Sequence, residues 1–331
     1  MFEIIPPKHS CESFLAPILK TFMIRKLQFK LSIAAFIMLF FSTFVFAQKL
    51  NSSLQKDPSQ RIRIAPESVF KSFREAGMKP VDHTLTPAEK EKVNNAFTLL
   101  PPLHQRILKQ HLQSISFMDN MPNTALTSPT DSVDGSKMFN ITFRASLLDE
   151  NISQWATWKE NTCFKQQADS NYSVRVEGGK MDGIIYVLLH EATHIIDVVT
   201  NITPHQTEAN AAVKPTAFTK DIWRLMNVPA EPYLDSLLEQ TRFRSGKPVP
   251  IGLAPDVYSQ LSKTPFPSLY AMAAWSEDIA ELATIYHLTT KLNQPFHIVV
   301  TKNNVELARF EPMKNVLVRQ RLDQLSTFYK P

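Results

Sequence analysis

The chain has 331 residues, 44% of them hydrophobic and 20% charged, which suits one large globular domain or two small ones and argues against disorder of the whole. Its formal charge of +5 invites a nucleic-acid reading, but residues 1–47 hold five Lys/Arg against two Glu, so three of the five charges belong to that segment and about +2 to the rest. No basic run with interleaved aromatic residues occurs, so no nucleic-acid partner is expected.

Residues 31–46 form an unbroken run of apolar or small residues behind Arg25, Lys26 and Lys30, the pattern of a signal peptide. The run is shorter than the roughly 20 residues a membrane-spanning helix needs. Val45 and Ala47 supply small residues for cleavage after Ala47. Met23 opens the basic stretch MIRKLQFK, so residues 23–47 are expected to be the signal and 1–22 an extension upstream of the true start. The expectation is an exported protein, periplasmic or extracellular, with no stable membrane span after cleavage. Cys11 precedes the cut and Cys163 is left alone, which rules out an internal disulfide in the mature chain; Cys163, near Trp155 and Trp158, is expected to be a buried small hydrophobe.

Residues 48–65 are polar and are expected to be a flexible lead-in to one domain over 66–331. Cap residues and apolar spacing predict helices over 66–76 and 87–116, the second broken at Pro101-Pro102. MFNITFR at 138–144 and YSVRVE at 172–177 alternate and are rich in β-branched residues, so both are expected to be strands. From an N-cap at Asp182, a helix apolar on nearly all sides is expected to run to about Thr200 and to be buried. Nine prolines between Asn201 and Pro267 mark an irregular insertion, with short helices expected at 219–226 and 232–240. After it come a single long helix over 268–291, a hairpin over 297–310 turning at Asn303-Asn304, and a closing helix over 313–329.

The chemistry centres on His190-Glu191-Ala192-Thr193-His194, an H-E-x-x-H sequence inside the central helix. Positions i and i+4 share a helix face, so both imidazoles can address one zinc ion, with Glu191 beside them. Zinc with three protein ligands keeps a position for water and lowers its pKa to about 7, and Glu191 is the base placed to take the proton and pass it to a departing amine. Asp197, Glu208, Glu231, Glu277 and Glu281 are the acids to weigh for the third ligand. Glu277 is the choice, because it lies on a helix whose alanines allow close approach. Glu281, one turn on, and Asp197, three residues past His194, are expected to orient the ligands. Tyr270, read as two turns before Glu277 on one helix, is expected to reach the space above the metal and stabilise an oxyanion; Tyr286 and His287 are weaker candidates.

HEATHIID at 190–197 and EDIAE at 277–281 resemble the paired motifs H-E-x-x-H-x-x-D and E-x-x-A-E of zincin metallopeptidases, the group of the anthrax lethal factor catalytic domain and the Pro-Pro endopeptidases. The resemblance implies an α+β zincin-like fold, mostly helical with a small sheet. It also implies one Zn2+ held by His190, His194 and Glu277, with Glu191 as base and Tyr270 as oxyanion donor, acting on a peptide or protein substrate. It covers two helices. The chain departs from the pattern in the 82 residues (195–276) between His194 and Glu277 and in Ala192, Thr193 and Ile279, where aromatic residues are usual, so no substrate preference carries over. The resemblance also suggests a small sheet above the first motif helix, with 172–177 as the edge strand onto which a peptide could add. Two other functions fit the same residues: a non-catalytic zinc-binding or structural protein retaining the fold, and a zinc hydrolase acting on another amide.

Overall fold

The computed structural model describes residues 60–130, 136–167, 170–205 and 214–330; the expected signal, the extension before it, residues 48–59 and Glu208 lie outside them. The described residues belong to one unit, Lys56–Pro331, which is mixed α and β with small sheets.

Among the described residues the first elements are helix α1 (Glu67–Glu75), a two-residue strand β1 (Val81–Asp82), then α2 (Pro87–Thr98) and α3 (Pro102–His111). Thr86 and Glu89 close a reciprocal capping box at the start of α2. The expected helix does not continue to 116. Leu112 turns extended and β2 (Leu112–Asp119) follows, because Ser114 and Ser116, buried on one face, find hydrogen-bond partners only across a sheet. Asn140 Nδ2 donates to Ser114 Oγ at 3.0 Å and to Ser116 Oγ at 2.9 Å, while Thr142 Oγ1 donates to Asn140 Oδ1 at 2.7 Å. These partners belong to β4 (Met138–Arg144), which β3 (Ala125–Thr130) precedes. The sheet order is β1-β2-β4-β3, with β2 and β4 parallel and both edges antiparallel.

The end of the expected lead-in is structured. Arg63 N–H and Ile115 N–H pair this segment with β2, and the buried Arg61 guanidinium donates to Leu108 O, Lys109 O and Leu112 O. A buried cation thus serves the carbonyls at the C-terminus of α3.

Helix α4 (Ile152–Asn161), absent from the sequence expectation, begins at an Asn151–Gln154 capping box and is followed by β5 (Phe164–Lys165) and β6 (Tyr172–Glu177). The central helix α5 (Gly183–Thr200) has the expected bounds, although Asp182 makes no cap hydrogen bond and instead meets Lys92 at 3.5 Å. Alone among the described helices, α5 is long and apolar enough to cross a membrane. Its burial among α2, α3, α4 and β3 makes it the core helix of the domain.

In the insertion, 219–226 holds a strand rather than a helix: β7 (Trp223–Leu225) pairs with β8 (Val228–Pro229), and 232–240 contains only single 3-10 turns. A four-residue helix α6 (Arg242–Ser245) leads to β9 (Val249–Pro250), which pairs with β5, and to α7 (Ala254–Leu261). The helix expected over 268–291 is divided. Tyr270–Met272 is one 3-10 turn, Ala274 is fully extended, and α8 runs only over Trp275–Tyr286 before a π-turn. Trp275 N–H donates to Met226 O at 2.9 Å, so the β7–β8 hairpin fixes where α8 begins. β10 (His297–Lys302) and β11 (Val305–Phe310) form the expected hairpin, with Asn303 and Asn304 both at positive φ, and complete a sheet of order β11-β10-β6. The closing segment is broken into 3-10 turns and the short α9 (Val316–Arg319) rather than one helix.

Candidate metal centre

On α5 the side chains of Tyr186, His190 and His194, spaced by four, share a face and turn toward α8. Glu277 lies in the first turn of α8, where the positive end of the helix dipole favours a carboxylate. The result is a tight donor set. His190 Nε2 lies 3.0 Å from Glu277 Oε2, His194 Nε2 lies 3.4 Å from the same oxygen, and the two imidazole nitrogens are 3.2 Å apart. One donor atom from each of the three residues falls within 4.8 Å of the others.

Glu281, one turn further along α8, is buried behind them. Its Oε1 accepts from Tyr186 Oη at 2.9 Å and Lys159 Nζ at 3.1 Å, its Oε2 accepts from Ser268 Oγ at 2.6 Å, and His190 Nδ1 sits 3.1 Å away, off the line of a well-formed hydrogen bond. Burial alone would raise the Glu281 pKa, but Lys159 and His190 overcome it and hold the carboxyl down at about 2. Glu277 is likewise held well below the usual carboxylate range, because the facing imidazoles outweigh burial. Burial disfavours a charge on His190, yet Glu277 and Glu281 outweigh it and push its pKa up to about 9.

In formal charges the centre is unbalanced. Glu191, Glu277 and Glu281 bring three negative charges into the centre and Lys159 brings one positive, which leaves two negative charges to be matched. A divalent cation between neutral imidazoles matches them, and two histidines with one carboxylate are a donor set that zinc accepts. The residues present therefore fit zinc.

Glu191 borders the donor set. Its Oε2 accepts from Thr127 Oγ1 at 2.7 Å, so a threonine of β3 fixes the carboxylate. Arg144 N–H donates to Thr124 O at 2.8 Å, which turns alternate residues of β3 toward β4 and leaves the backbone groups of Ala125, Thr127 and Pro129 directed outward. Pro129, with no N–H to donate, is tolerated because it faces that edge. A groove of about 660 Å3 runs along this edge, lined by Ala125, Leu126, Met138, Phe139, Glu191 and His194. The edge that meets the centre is thus β3. β6, where the sequence suggested it, is closed by α4: Val176 N–H donates to Thr157 Oγ1 at 2.9 Å and Asn161 Nδ2 donates to Val174 O at 2.9 Å.

Tyr270 reaches the centre from its 3-10 turn rather than from the helix that carries Glu277. Its ring stacks on His190 with centroids 5.6 Å apart, Lys159 Nζ lies 4.1 Å from its centroid, and burial followed by Glu277 raises its pKa. Asp197 does not contact His194 through its carboxylate; Oδ1 and Oδ2 accept from Thr203 N–H at 2.6 Å and Thr203 Oγ1 at 2.5 Å, which secures the chain leaving α5. Tyr286 and His287 lie at the far end of α8, where His287 bonds Tyr329 Oη and Leu99 O. Glu231 opens a separate 3-10 turn.

The sequence reading missed Thr127 and Lys159. Thr127 had no signal beyond an alternating stretch interrupted by Pro129. Lys159 sits four residues after Trp155 on α4, a helix whose Asn151–Gln154 box was legible. Cys163 is fully buried as expected, and burial pushes its thiol pKa up, which makes it inert. Comparison of the chain with protein-family models, with curated proteins and with solved structures yields no match.

Proposed function

We propose that this protein is an exported zinc metallopeptidase of the zincin type. The observation that carries the reading is the convergence of His190, His194 and Glu277 within 4.8 Å, beside Glu191 and against an open strand edge. Zinc, when bound, supplies Lewis acidity, which lowers the pKa of water to about 7 and polarises a carbonyl. The protein's residues do the rest. Thr127 holds one oxygen of Glu191 and leaves the other to accept a proton from the attacking water and deliver it to the departing amine. Tyr270, buried and kept protonated, is a hydrogen-bond donor for the oxygen that gains charge. Glu281, anchored by Tyr186, Lys159 and Ser268, lies 3.1 Å from His190 Nδ1, from where a small turn of the ring lets it accept that N–H and fix the tautomer. The outward N–H and C=O groups of β3 supply a ladder for an extended peptide, which favours peptides over other amides as substrate. Export rests on residues 23–47.

Metal analysis and a peptide digest test the reading together. Purified protein is expected to carry one zinc per chain, to lose it in His194→Ala, and to cut members of a peptide library. Full metal content in His194→Ala removes the site; zinc-loaded protein that cuts nothing removes the peptidase.

A further inference from the structure

A second pocket, of about 360 Å3, also borders the centre, shares Ala125, Glu191 and Tyr270 with the β3 groove, and differs from it in character. Trp155, Phe243 and Tyr270 wall it, Trp158 stands half-exposed among its lining residues, and Lys159 and Arg242 are the lysine and arginine among them. The acid it exposes is Glu191, already bonded to Thr127. Lys159 is matched by Glu281 at 3.1 Å. Arg242 has no such match: among the described residues its one hydrogen bond is a long contact from a guanidinium nitrogen to Thr162 O at 3.5 Å, and none of their carboxylates is paired with it. Once a dication balances Glu191, Glu277, Glu281 and Lys159, Arg242 is the uncompensated charge of the pocket. A guanidinium with free donors beside aromatic faces is suited to a carboxylate joined to an aliphatic or peptide stem. In the other groove Lys137 donates to Val198 O at 3.1 Å, and the walls include Leu126, Met138, Phe139 and Val198.

We infer that the Trp155–Arg242 pocket binds a carboxylate of the substrate next to the bond that is cut, so that the enzyme selects peptides with an acidic group on that side. The inference rests on the peptidase reading for its meaning, though binding can be measured without it. The carboxylate has two sources, an aspartate or glutamate side chain and a free C-terminus.

Both sources are separated by titrating three short peptides into the zinc-loaded full chain carrying Glu191→Gln, which prevents turnover, while following tryptophan fluorescence. One amidated peptide contains a single glutamate, a second replaces it by glutamine, and the third is the glutamine peptide with a free C-terminus. The glutamate or the free-acid peptide is expected to bind at least about 10-fold more tightly than the amidated glutamine peptide, and the source is whichever does. Arg242→Ala, at an exposed position of a four-residue helix, is expected to erase the preference, and Arg242→Lys to keep part of it. Equal affinity for all three peptides overturns the inference. So does a preference that survives Arg242→Ala, since the carboxylate then sits on the metal. Peptides bound with this preference but never cut by the unsubstituted enzyme sink the peptidase reading and leave the pocket standing; cutting without preference does the reverse.

Discussion

Two six-residue strands, β3 and β6, each end a sheet beside a helix, and their edges have opposite fates. At β6 the helix α4 turns Thr157 and Asn161 onto the strand, and their side chains take the hydrogen bonds of Val174 and Val176. At β3 the single threonine reaching the neighbouring helix bonds a carboxylate, Glu191, and the outward backbone groups of Ala125 and Thr127 border a groove. An edge is open or closed according to what the adjacent helix presents to it, not according to the strand's own composition, although YSVRVE is the better strand former of the two.

If β3 is the working edge, substitutions around it change turnover, and substitutions around β6 change stability. The largest expected effect is that of Glu191→Gln, a loss of about 10^2–10^4 in kcat with zinc content unchanged, measured by steady-state kinetics and metal analysis. Activity retained in this variant removes Glu191 as base. Chelating the metal is expected to lower stability by about 2.7 kcal/mol relative to protein in a 100-fold excess of zinc over its Kd, read from denaturant midpoints; coincident unfolding curves with and without chelator contradict a metal held by the folded state. Thr127→Ala is expected to lower kcat/KM by roughly 10-fold, the worth of about 1.4 kcal/mol for one hydrogen bond to a charged group, and Thr127→Ser to restore most of it. A Thr127→Ala enzyme as fast as the parent uncouples the edge from the base. At the closed edge, Thr157→Val leaves Val176 N–H without its partner and is expected to cost about 1–3 kcal/mol of stability at unchanged kcat/KM. A kinetic defect there instead of a stability loss reverses the comparison.

The centre was more legible than its surroundings. His190, Glu191 and His194 needed only the four-residue spacing on a helix without Pro or Gly, and that helix has the expected ends. Glu277 was read from helix context, yet the helix is shorter than its composition implied. Ala271, Met272, Ala273 and Ala274 all favour helix locally, but Ala274 is extended, because Trp275 N–H pairs with Met226 O. Tyr270 was placed near the expected metal by assuming a continuous helix; it lies on His190 for another reason, a turn that the insertion packs against the candidate centre. Asp197 carried a motif position but spends both oxygens on Thr203, a residue no local pattern marks. Lys159 and Thr127 come from elements whose relation to α5 exists only in three dimensions.

The contact of Trp275 with the hairpin has a consequence for how the protein matures. A chain growing from its N-terminus contains both histidines long before Glu277, and the start of α8 is then set by residues of the insertion and held by two more ties: Trp223 Nε1 and the Arg321 guanidinium both donate to Asp278, the residue after Glu277. On the zinc reading proposed above, the histidine pair would be an unfinished chelator until the last of these arrives. On that reading, ribosome-bound or truncated chains ending before Arg321 should hold zinc more loosely than the full chain, and metal loading would be a late checkpoint in the life of the molecule rather than an event that starts its folding.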